Sequence, residues 1–210
     1  MSRALTVAVP KGRLAKQLAA SLARAGVPEG ALSETDRTLV REATVDGAPM
    51  RFLLLKPDDV PTYVEHGACD LGVVGRDVLL EREADLVLPH DTGLGRCRMV
   101  VAAPDGWTAP PRDRALRVAT KYPRIARRHF AAQGTEVEMI YVQGSVETAP
   151  LVGLSDVIVD LVETGETLRQ NGLSVVAEVC AVSAVVVVNR VVFKLHRAAI
   201  ERFVGRLPGA

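Results

Sequence analysis

Short apolar runs alternate along this chain with segments whose apolar residues recur at helical spacing. Residues 5–9 predict a strand, and Leu14, Leu18 and Leu22 predict a helix over 14–25 that Gly26 ends. The same alternation continues toward the C-terminus. Further strands are expected at 50–55, 70–75, 86–88, 97–103, 117–120, 136–142, 157–162 and, as a pair, across 175–188, and further helices at 58–66, 77–82, 125–133, 167–171 and 193–203.

Strands that alternate with helices are typical of βαβ units, in which helices cover both faces of a largely parallel sheet. Residues 184–188 are all apolar and therefore fit a strand that is buried on both faces. The loop at 89–96 and the region 172–182 are each suited to carry the chain from one lobe to another. The pattern therefore predicts an α/β protein, with two lobes as the expected arrangement.

The composition excludes several classes of partner. Hydrophobic residues make up 48% of the chain and charged residues 24%, with a formal net charge of +1, which argues against disorder and against a strongly basic nucleic-acid binder. Aromatic residues, at 4%, are too few for a platform that stacks single-stranded bases. No apolar run is long enough for a membrane span or a signal peptide. We therefore expect a cytoplasmic protein without a nucleic-acid or membrane partner.

Cysteine and histidine give no sign of covalent or metal chemistry. Cys69, Cys97 and Cys180 are too widely spaced for a zinc site, and we expect them to be buried free thiols. The four histidines belong to no recognisable triad, and neither a Gly-x-Ser-x-Gly nor a Walker sequence occurs. No nucleophile, metal ligand or P-loop is therefore indicated.

One segment has the features of a phosphate site. The apolar run 157–162 contains Asp160 and leads through Glu163 into Thr164-Gly165-Glu166-Thr167, where a helix is expected to begin. Unpaired N–H groups and hydroxyls at such a turn bind phosphate, while neighbouring carboxylates accept hydrogen bonds from sugar hydroxyls or bind Mg²⁺. The pattern suggests a ribose 5-phosphate, with an ordinary capped helix as the alternative.

Cations follow two of the predicted strands. Lys11-Gly12-Arg13 comes after the first strand and Lys56 after the second, at the carboxyl edge where open α/β sheets bind ligands. The alternative is that all three cations are ordinary solvated surface residues. Asp70, Gly72 and Gly75 mark the entrance and exit of a strand that a ligand or another backbone approaches closely.

Taken together, these segments resemble the ATP phosphoribosyltransferases, which catalyse the first step of histidine biosynthesis. The resemblance runs in order from about residue 5 to 190. It rests on the segments 9–14, 56–75, 117–123 with 126–128, 144–147, 159–165, 167–169 and 171–173.

The resemblance implies a fold like that of the type II periplasmic-binding proteins, with the active site in a cleft between two α/β lobes. Lobe I would comprise residues 1–91 with 181–210, and lobe II would be the insertion 92–180. The family condenses ATP with phosphoribosyl pyrophosphate in the presence of Mg²⁺ and releases pyrophosphate. The likeness does not identify the metal ligands.

Roles for individual residues follow from the same resemblance. Lys11, Arg13 and Lys56 would neutralise the pyrophosphate together with Mg²⁺, and Arg37 would contact a nucleotide. Asp160 or Glu163 would hold the ribose hydroxyls. The 5-phosphate would bind the turn formed by Glu163, Thr164, Gly165, Glu166 and Thr167, and Asp70 is counted with these substrate-binding residues.

Three departures qualify the resemblance. Lys56 and Val185 stand where the family often has arginine, and the chain ends at Ala210 without a regulatory domain. The short form of the enzyme is therefore expected, in which a homodimer of catalytic chains joins a regulatory subunit resembling histidyl-tRNA synthetase.

Two other functions are compatible with parts of the pattern. One is a solute-binding or sensor module of the same two-lobed architecture, which has no need of a ribose-phosphate site. The other is a type I phosphoribosyltransferase that acts on a purine or on orotate. The Lys11–Arg13 segment and the 70–75 strand argue against that fold.

Overall fold

The computed structural model describes residues 4–24, 26–33, 36–45, 47–109 and 114–209. It divides the chain into two compact units, one formed by Met1–Arg96 with Ser183–Ala210 and the other by Cys97–Val182. The sequence analysis places the same two changes a few residues earlier, after 91 and after 180.

The strands are β1 (Leu5–Pro10), β2 (Val40–Val45), β3 (Ala48–Leu55), β4 (Leu71–Gly75), β5 (Val87–Asp91), β6 (Cys97–Pro104), β7 (Leu116–Thr120), β8 (Val137–Tyr141), β9 (Val157–Val162), β10 (Leu173–Val182) and β11 (Ala184–Val188). The helices are α1 (Arg13–Arg24), α2 (Val60–Glu65), α3 (Arg76–Arg82), α4 (Pro123–Ala132), α5 (Glu166–Gln170), α6 (Arg190–Leu195) and α7 (Arg197–Val204). Single 3₁₀ turns occupy Glu29–Leu32, Pro57–Asp59 and Val146–Thr148.

The first unit contains a six-stranded sheet in the order β2-β3-β1-β4-β11-β5. β1 pairs in parallel with β3 and β4, whereas β2 and β11 run antiparallel to their neighbours. The expectation of a largely parallel sheet is therefore wrong, because the sheet is mixed. β2, which the sequence analysis missed, ends at Val45 and β3 begins at Ala48, and so short a connection permits only antiparallel pairing.

Strand β11 is buried on both faces, as its apolar run predicts. Val186 and Val188 pack with residues of α1 and α7, while Val185 and Val187 pack with residues of α2 and α3. The C-terminal helix expected over 193–203 is instead two helices, α6 and α7, which meet at His196.

The second unit contains a five-stranded sheet in the order β10-β6-β9-β7-β8. β7 is parallel to β8 and β9, and β6 and β10 add antiparallel strands at one side. The sequence analysis expects β10 and β11 to form a pair, which is wrong: β10 pairs with β6, whereas β11 pairs with β4 and β5 in the other unit. Only Ser183 separates the two strands, so the apolar pattern does not indicate that the chain passes from one sheet to the other between them.

The cysteines are free, but only Cys69 is fully buried. Burial, with the neighbouring Asp70, raises the pKa of its thiol to about 11. Cys97 and Cys180 are half-buried against the core of the second unit. In the described part of the chain, no helix combines the length and the apolar character that a membrane crossing requires.

Candidate functional site

Two lysines stand side by side at the carboxyl edge of the first sheet. Pro10 and Leu55 are the last register partners of the parallel pair β1 and β3, so Lys11 and Lys56 are the next residues on adjacent strands. The backbone N–H of Lys11 donates to the Leu55 carbonyl at 2.8 Å. Both lysines are exposed, and neither side chain has a hydrogen bond or ion pair to another residue of the described ranges. The sheet therefore presents two adjacent positive charges.

Helix α1 begins at the same edge. Gly12, whose φ of 89° lies in the left-handed region, turns the chain from β1 into the helix at Arg13. The helix is 12 residues long and has no acidic residue in its first turn. Its N-terminal N–H groups and the positive end of its macrodipole therefore add to the charge of the lysines.

Arg37 also belongs to this edge. β2 runs antiparallel to β3, so the residues just before β2 lie beside the carboxyl end of β3. The Leu39 carbonyl accepts a hydrogen bond of 2.8 Å from the Leu54 N–H, which continues the pairing beyond the strand. Arg37, two residues before Leu39, is exposed and lies at the same edge of the sheet as Lys56.

Asp70, which is predicted to take part in substrate binding, lies at the opposite edge of the sheet from the lysines. It precedes β4, which is parallel to β1, and therefore marks the amino end of the sheet. The side chain is buried, and its carboxylate accepts a hydrogen bond of 2.8 Å from the Thr6 N–H. The Asp70 N–H in turn donates to the Thr6 carbonyl. Asp70 thus joins the amino ends of β1 and β4, at the edge of the sheet opposite the lysines.

In the second unit, the predicted phosphate turn follows β9. Gly165 has a φ of 78°, and α5 begins directly after it. The Thr164 hydroxyl accepts a hydrogen bond of 3.4 Å from the Glu166 N–H, and Glu163, Thr164 and Thr167 are exposed. The turn therefore offers hydroxyls and a glycine backbone to solvent at the carboxyl end of the strand.

Glu166 differs from its neighbours because its carboxylate is occupied within the helix. It forms an ion pair with Arg169 and accepts a hydrogen bond of 2.8 Å from the Gln170 side chain. The expected substrate contact of Glu166 thus has no support from its side chain, and only its backbone faces the turn.

Asp160 lies two residues before the end of β9 and is half-buried. Burial raises the pKa of its carboxyl group, and the charge of Glu147 raises it further, while the Leu161 N–H and Lys121 act in the opposite direction. The Leu161 N–H donates to the carboxylate at 2.8 Å. A carboxyl group whose charge is costly to bury is a feature typical of functional sites.

The sequence analysis overlooked two neighbours of Asp160. Lys121 directly follows β7, which is parallel to β9, and Glu147 lies in the 3₁₀ turn after β8. Lys121 stands directly after a strand, as Lys11 and Lys56 do, so its position was a usable signal. Glu147 follows its strand by six residues, and only the fold brings its charge near Asp160.

Asp160 and Glu147 are two carboxylates whose charges influence each other in the second unit. No three His, Cys, Asp or Glu side chains of the described ranges are grouped closely enough to hold a metal ion. Mg²⁺ is commonly bound through substrate phosphates and one or two carboxylates. The pair Asp160 and Glu147 can supply that number.

Val185, at one of the positions where the resemblance leads us to expect arginine, lies in the core. Its side chain is 1% exposed and its register partners are Val74 and Asp91. A valine therefore fills this position without leaving a cavity or an unpaired charge.

The model of the family HisG: ATP phosphoribosyltransferase matches residues 56–209 of this chain. A curated relative from Sorangium cellulosum (strain So ce56), named ATP phosphoribosyltransferase, is 56% identical over 210 residues, which is 100% of this chain and 97% of the relative. The chain belongs to the ATP phosphoribosyltransferase family. A further member, from Geobacter metallireducens, is 44% identical over 207 residues and is covered to 97% in both chains.

Solved structures agree with this family and with the two-lobed fold. The ATP phosphoribosyl transferase (HisG:HisZ) complex from Thermotoga maritima superposes with a TM-score of 0.83 at 37% identity, covering 96% of this chain and 95% of that one. The alkanesulfonate-binding protein SsuA from Xanthomonas axonopodis pv. citri superposes with a TM-score of 0.60 at 13% identity, covering 98% of this chain and 72% of SsuA. This second likeness concerns the fold alone, and it confirms the expected likeness to periplasmic-binding proteins.

Proposed function

We propose that this member of the family condenses ATP with phosphoribosyl pyrophosphate to give phosphoribosyl-ATP and pyrophosphate. Adenine N1 attacks the anomeric carbon of the ribose, and the bond from that carbon to the pyrophosphate oxygen breaks with its electron pair passing to the leaving group. The observation that carries the proposal is the pair Lys11 and Lys56 beside the start of α1, in a chain that belongs to this family.

The leaving pyrophosphate is the group that most needs stabilisation. Its negative charge grows as the carbon–oxygen bond breaks, so cations fixed beforehand lower the barrier without having to reorganise. Parallel pairing holds the backbones of Lys11 and Lys56 on neighbouring strands, so both charges are present at this edge before a ligand binds. Arg13 and Arg37 extend the positive edge on either side of them.

The turn in the second unit would bind the 5-phosphate of phosphoribosyl pyrophosphate. The hydroxyls of Thr164 and Thr167 and the backbone around Gly165 donate hydrogen bonds to the 5-phosphate. Asp160 and Glu163 accept hydrogen bonds from the ribose hydroxyls. Fixing the ribose through its hydroxyls and its 5-phosphate positions the anomeric carbon for attack by adenine N1, which is the main contribution of binding in a reaction that needs no covalent nucleophile.

Mg²⁺, when bound, would neutralise part of the pyrophosphate charge. Asp160 and Glu147 are the carboxylates that would bind the ion together with the substrate phosphates. The dependence on Mg²⁺ is tested by titrating the ion against product formation at constant phosphoribosyl pyrophosphate.

The decisive experiment mixes the chain with ATP, phosphoribosyl pyrophosphate and Mg²⁺ and follows the absorbance of N1-modified adenine. Product should form with the natural chain and fall sharply with the double variant Lys11→Ala, Lys56→Ala. Binding of phosphoribosyl pyrophosphate without turnover would favour a solute-binding module, and turnover with orotate or a purine base in place of ATP would favour a different transferase.

We propose in addition that the chain works as a homodimer together with a HisZ-like regulatory subunit. The support for the regulatory subunit is the TM-score of 0.83 with the ATP phosphoribosyl transferase (HisG:HisZ) complex, whereas the homodimer is expected from the family resemblance alone. Histidine should then inhibit the mixture of chain and subunit more strongly than the chain alone, because the coupling requires a second binding site. Equal inhibition of both samples, at concentrations where size-exclusion chromatography shows a complex, would contradict this assignment.

A further inference from the structure

Arg76, Asp91 and Ser183 form a hydrogen-bonded cluster in the first unit that the reaction as described does not use. Arg76 Nη2 donates to Asp91 Oδ2 at 3.0 Å, and the Ser183 hydroxyl lies 2.8 Å from both carboxylate oxygens. The Gly93 N–H donates to Asp91 Oδ1 at 2.9 Å, and the Arg76 N–H donates to the Ser183 carbonyl at 2.9 Å. Arg76 is thus held through both its backbone and its side chain.

The topology places this cluster at the edge that carries the lysines. Arg76 directly follows β4, which pairs in parallel with β1 through Val7–Leu71 and Ala8–Gly72. When the register of Ala8 with Gly72 is continued by three residues, Lys11 lies beside Gly75. Arg76 directly follows Gly75. Since neighbouring strands lie about 4.8 Å apart, the strand ends that carry Lys56, Lys11 and Arg76 span about 10 Å of one edge.

Asp91 is an ionised anchor for this arginine. Burial on its own would raise the pKa of Asp91, but hydrogen bonds from Gly93, Ser183 and Arg76 outweigh it and hold the pKa below its usual range. The carboxylate shares its charge among three donors, so Arg76 is only one of the groups that neutralise it. The ionised carboxylate therefore fixes one side of the guanidinium at neutral pH.

The other side of the guanidinium is open. The Arg76 side chain is 41% exposed, and within the described ranges its only side-chain hydrogen bond or ion pair is the one to the Asp91 carboxylate. Arginine carries five N–H donors in a rigid fork that matches phosphate oxygens. A fork that is fixed on one side and open on the other binds an anion with little further loss of side-chain entropy.

We propose that Arg76 is a further binding residue for the pyrophosphate group and that Asp91 and Ser183 are its positioning residues. The proposal rests on the proposed function, since it concerns the leaving group of that reaction. Arg76 supplies a planar pair of donors at an edge where the neighbouring strands supply the point charges of Lys11 and Lys56.

The alternative is an ordinary surface ion pair, and the same sheet provides a matched control. Arg51 forms an ion pair of 3.1 Å with Glu42 between β3 and β2, and its side chain is 47% exposed. Arg51 is register partner of Thr6, near the amino end of β1, and so lies away from the carboxyl edge. If Arg76 were only a surface pair, removing it would have no more effect on ligand binding than removing Arg51.

The test measures inorganic pyrophosphate binding to the full chain by calorimetry and by product inhibition. Arg76→Ala should weaken pyrophosphate binding about tenfold and Arg76→Lys by less, whereas Arg51→Ala should leave it unchanged. Asp91→Asn should weaken it about threefold, raise the KM for phosphoribosyl pyrophosphate more than it lowers kcat, and add little in the Arg76→Ala background. Asp91→Glu, which keeps the charge, should recover part of the loss.

Two outcomes separate this inference from the proposed function. If the natural chain forms product and binds pyrophosphate but Arg76→Ala binds it equally well, Arg76 has no role and only the inference fails. If the natural chain neither binds pyrophosphate nor forms product, the proposed function fails as well. Arg76→Gln, which keeps most of the side-chain volume, replaces the alanine variant should that variant melt below the assay temperature.

Discussion

The Lys11 N–H donates a hydrogen bond of 2.8 Å to the Leu55 carbonyl oxygen, and this bond places Lys11 next to Lys56 on the neighbouring strand. Adjacent like charges repel each other, and within the described ranges no acidic side chain pairs with either lysine. The pairing of β1 with β3 over six register positions holds them together despite the repulsion. An anion bound at this edge would interact favourably with both lysines.

Replacing either lysine should reduce activity and leave stability unchanged. Lys11→Ala or Lys56→Ala should lower kcat/KM for phosphoribosyl pyrophosphate by about 10- to 100-fold, because a preorganised charge at the leaving group is lost. Lys16→Ala, an exposed lysine one turn into α1, is the control and should remain active. Melting temperatures of all three should stay near that of the natural chain. A loss that tracks the melting temperature would indicate a structural role.

The phosphate turn can be tested with two alanine substitutions that carry similar backbone strain. Gly165 and Gly134 have φ values of 78° and 66°, and a Cβ meets no closer neighbour than Val162 Cγ1 at 3.8 Å for the first and nothing within 4 Å for the second. Each alanine should destabilise the chain by about 1–2 kcal/mol. Only Gly165→Ala should weaken phosphoribosyl pyrophosphate binding, by about tenfold, as measured by calorimetry. Equal affinity in both variants would exclude the turn from the site.

Backbone strain at Gly165 makes alanine a better test substitution than valine. The space around Gly165 would admit a valine side chain, but the backbone conformation of this residue would not. Because the residue lies in the left-handed region, a β-branched side chain is strongly disfavoured there, and alanine is the more informative replacement.

Asp160→Asn should raise stability while lowering activity. Burial raises the pKa of Asp160, so the folded state binds its proton more tightly than the unfolded chain does. The cost of the charge is therefore absent at low pH, appears as the pH rises through the raised pKa, and is complete at pH 7. The melting temperature of the asparagine variant should exceed that of the natural chain by a few degrees at pH 7 and match it in acid. A lower melting temperature at pH 7 would show that the carboxylate is stabilising.

Asp156 should show the opposite dependence on pH. Hydrogen bonds from Arg114 and Arg117 lower the pKa of Asp156, and burial raises it. The hydrogen bonds outweigh burial and hold the pKa well below its usual range. Its stabilising effect is thus full above the ordinary carboxyl pKa and is lost as the pH falls toward the lowered one. The side chain is 10% exposed, and Asp156→Asn should cost about 2 kcal/mol at pH 7 in urea unfolding, with a smaller difference in strong acid. Equal losses at both pH values would rule out the charge as the cause.

The sequence by itself predicted the features that local patterns determine. Burial of β11 on both faces follows from its unbroken apolar run, and the positions of Lys11 and Lys56 follow from the strands that they terminate. Gly165 marked the turn after β9 because few other residues adopt a positive φ. Each of these features depends on a few consecutive residues, so each is readable without knowing the partners of a strand.

The tertiary structure alone decided the features that depend on which strands pair. β10 and β11 lie in different sheets although one residue separates them, and Asp70 lies at the amino edge because β4 is parallel to β1. The pairing of β11 with β4 and β5 likewise brings Ser183, Asp91 and Arg76 together from distant parts of the chain. The periodicity of a strand reports which faces are buried, but its partner and direction come from contacts between residues far apart in sequence, and those contacts determine the edge that each charge occupies.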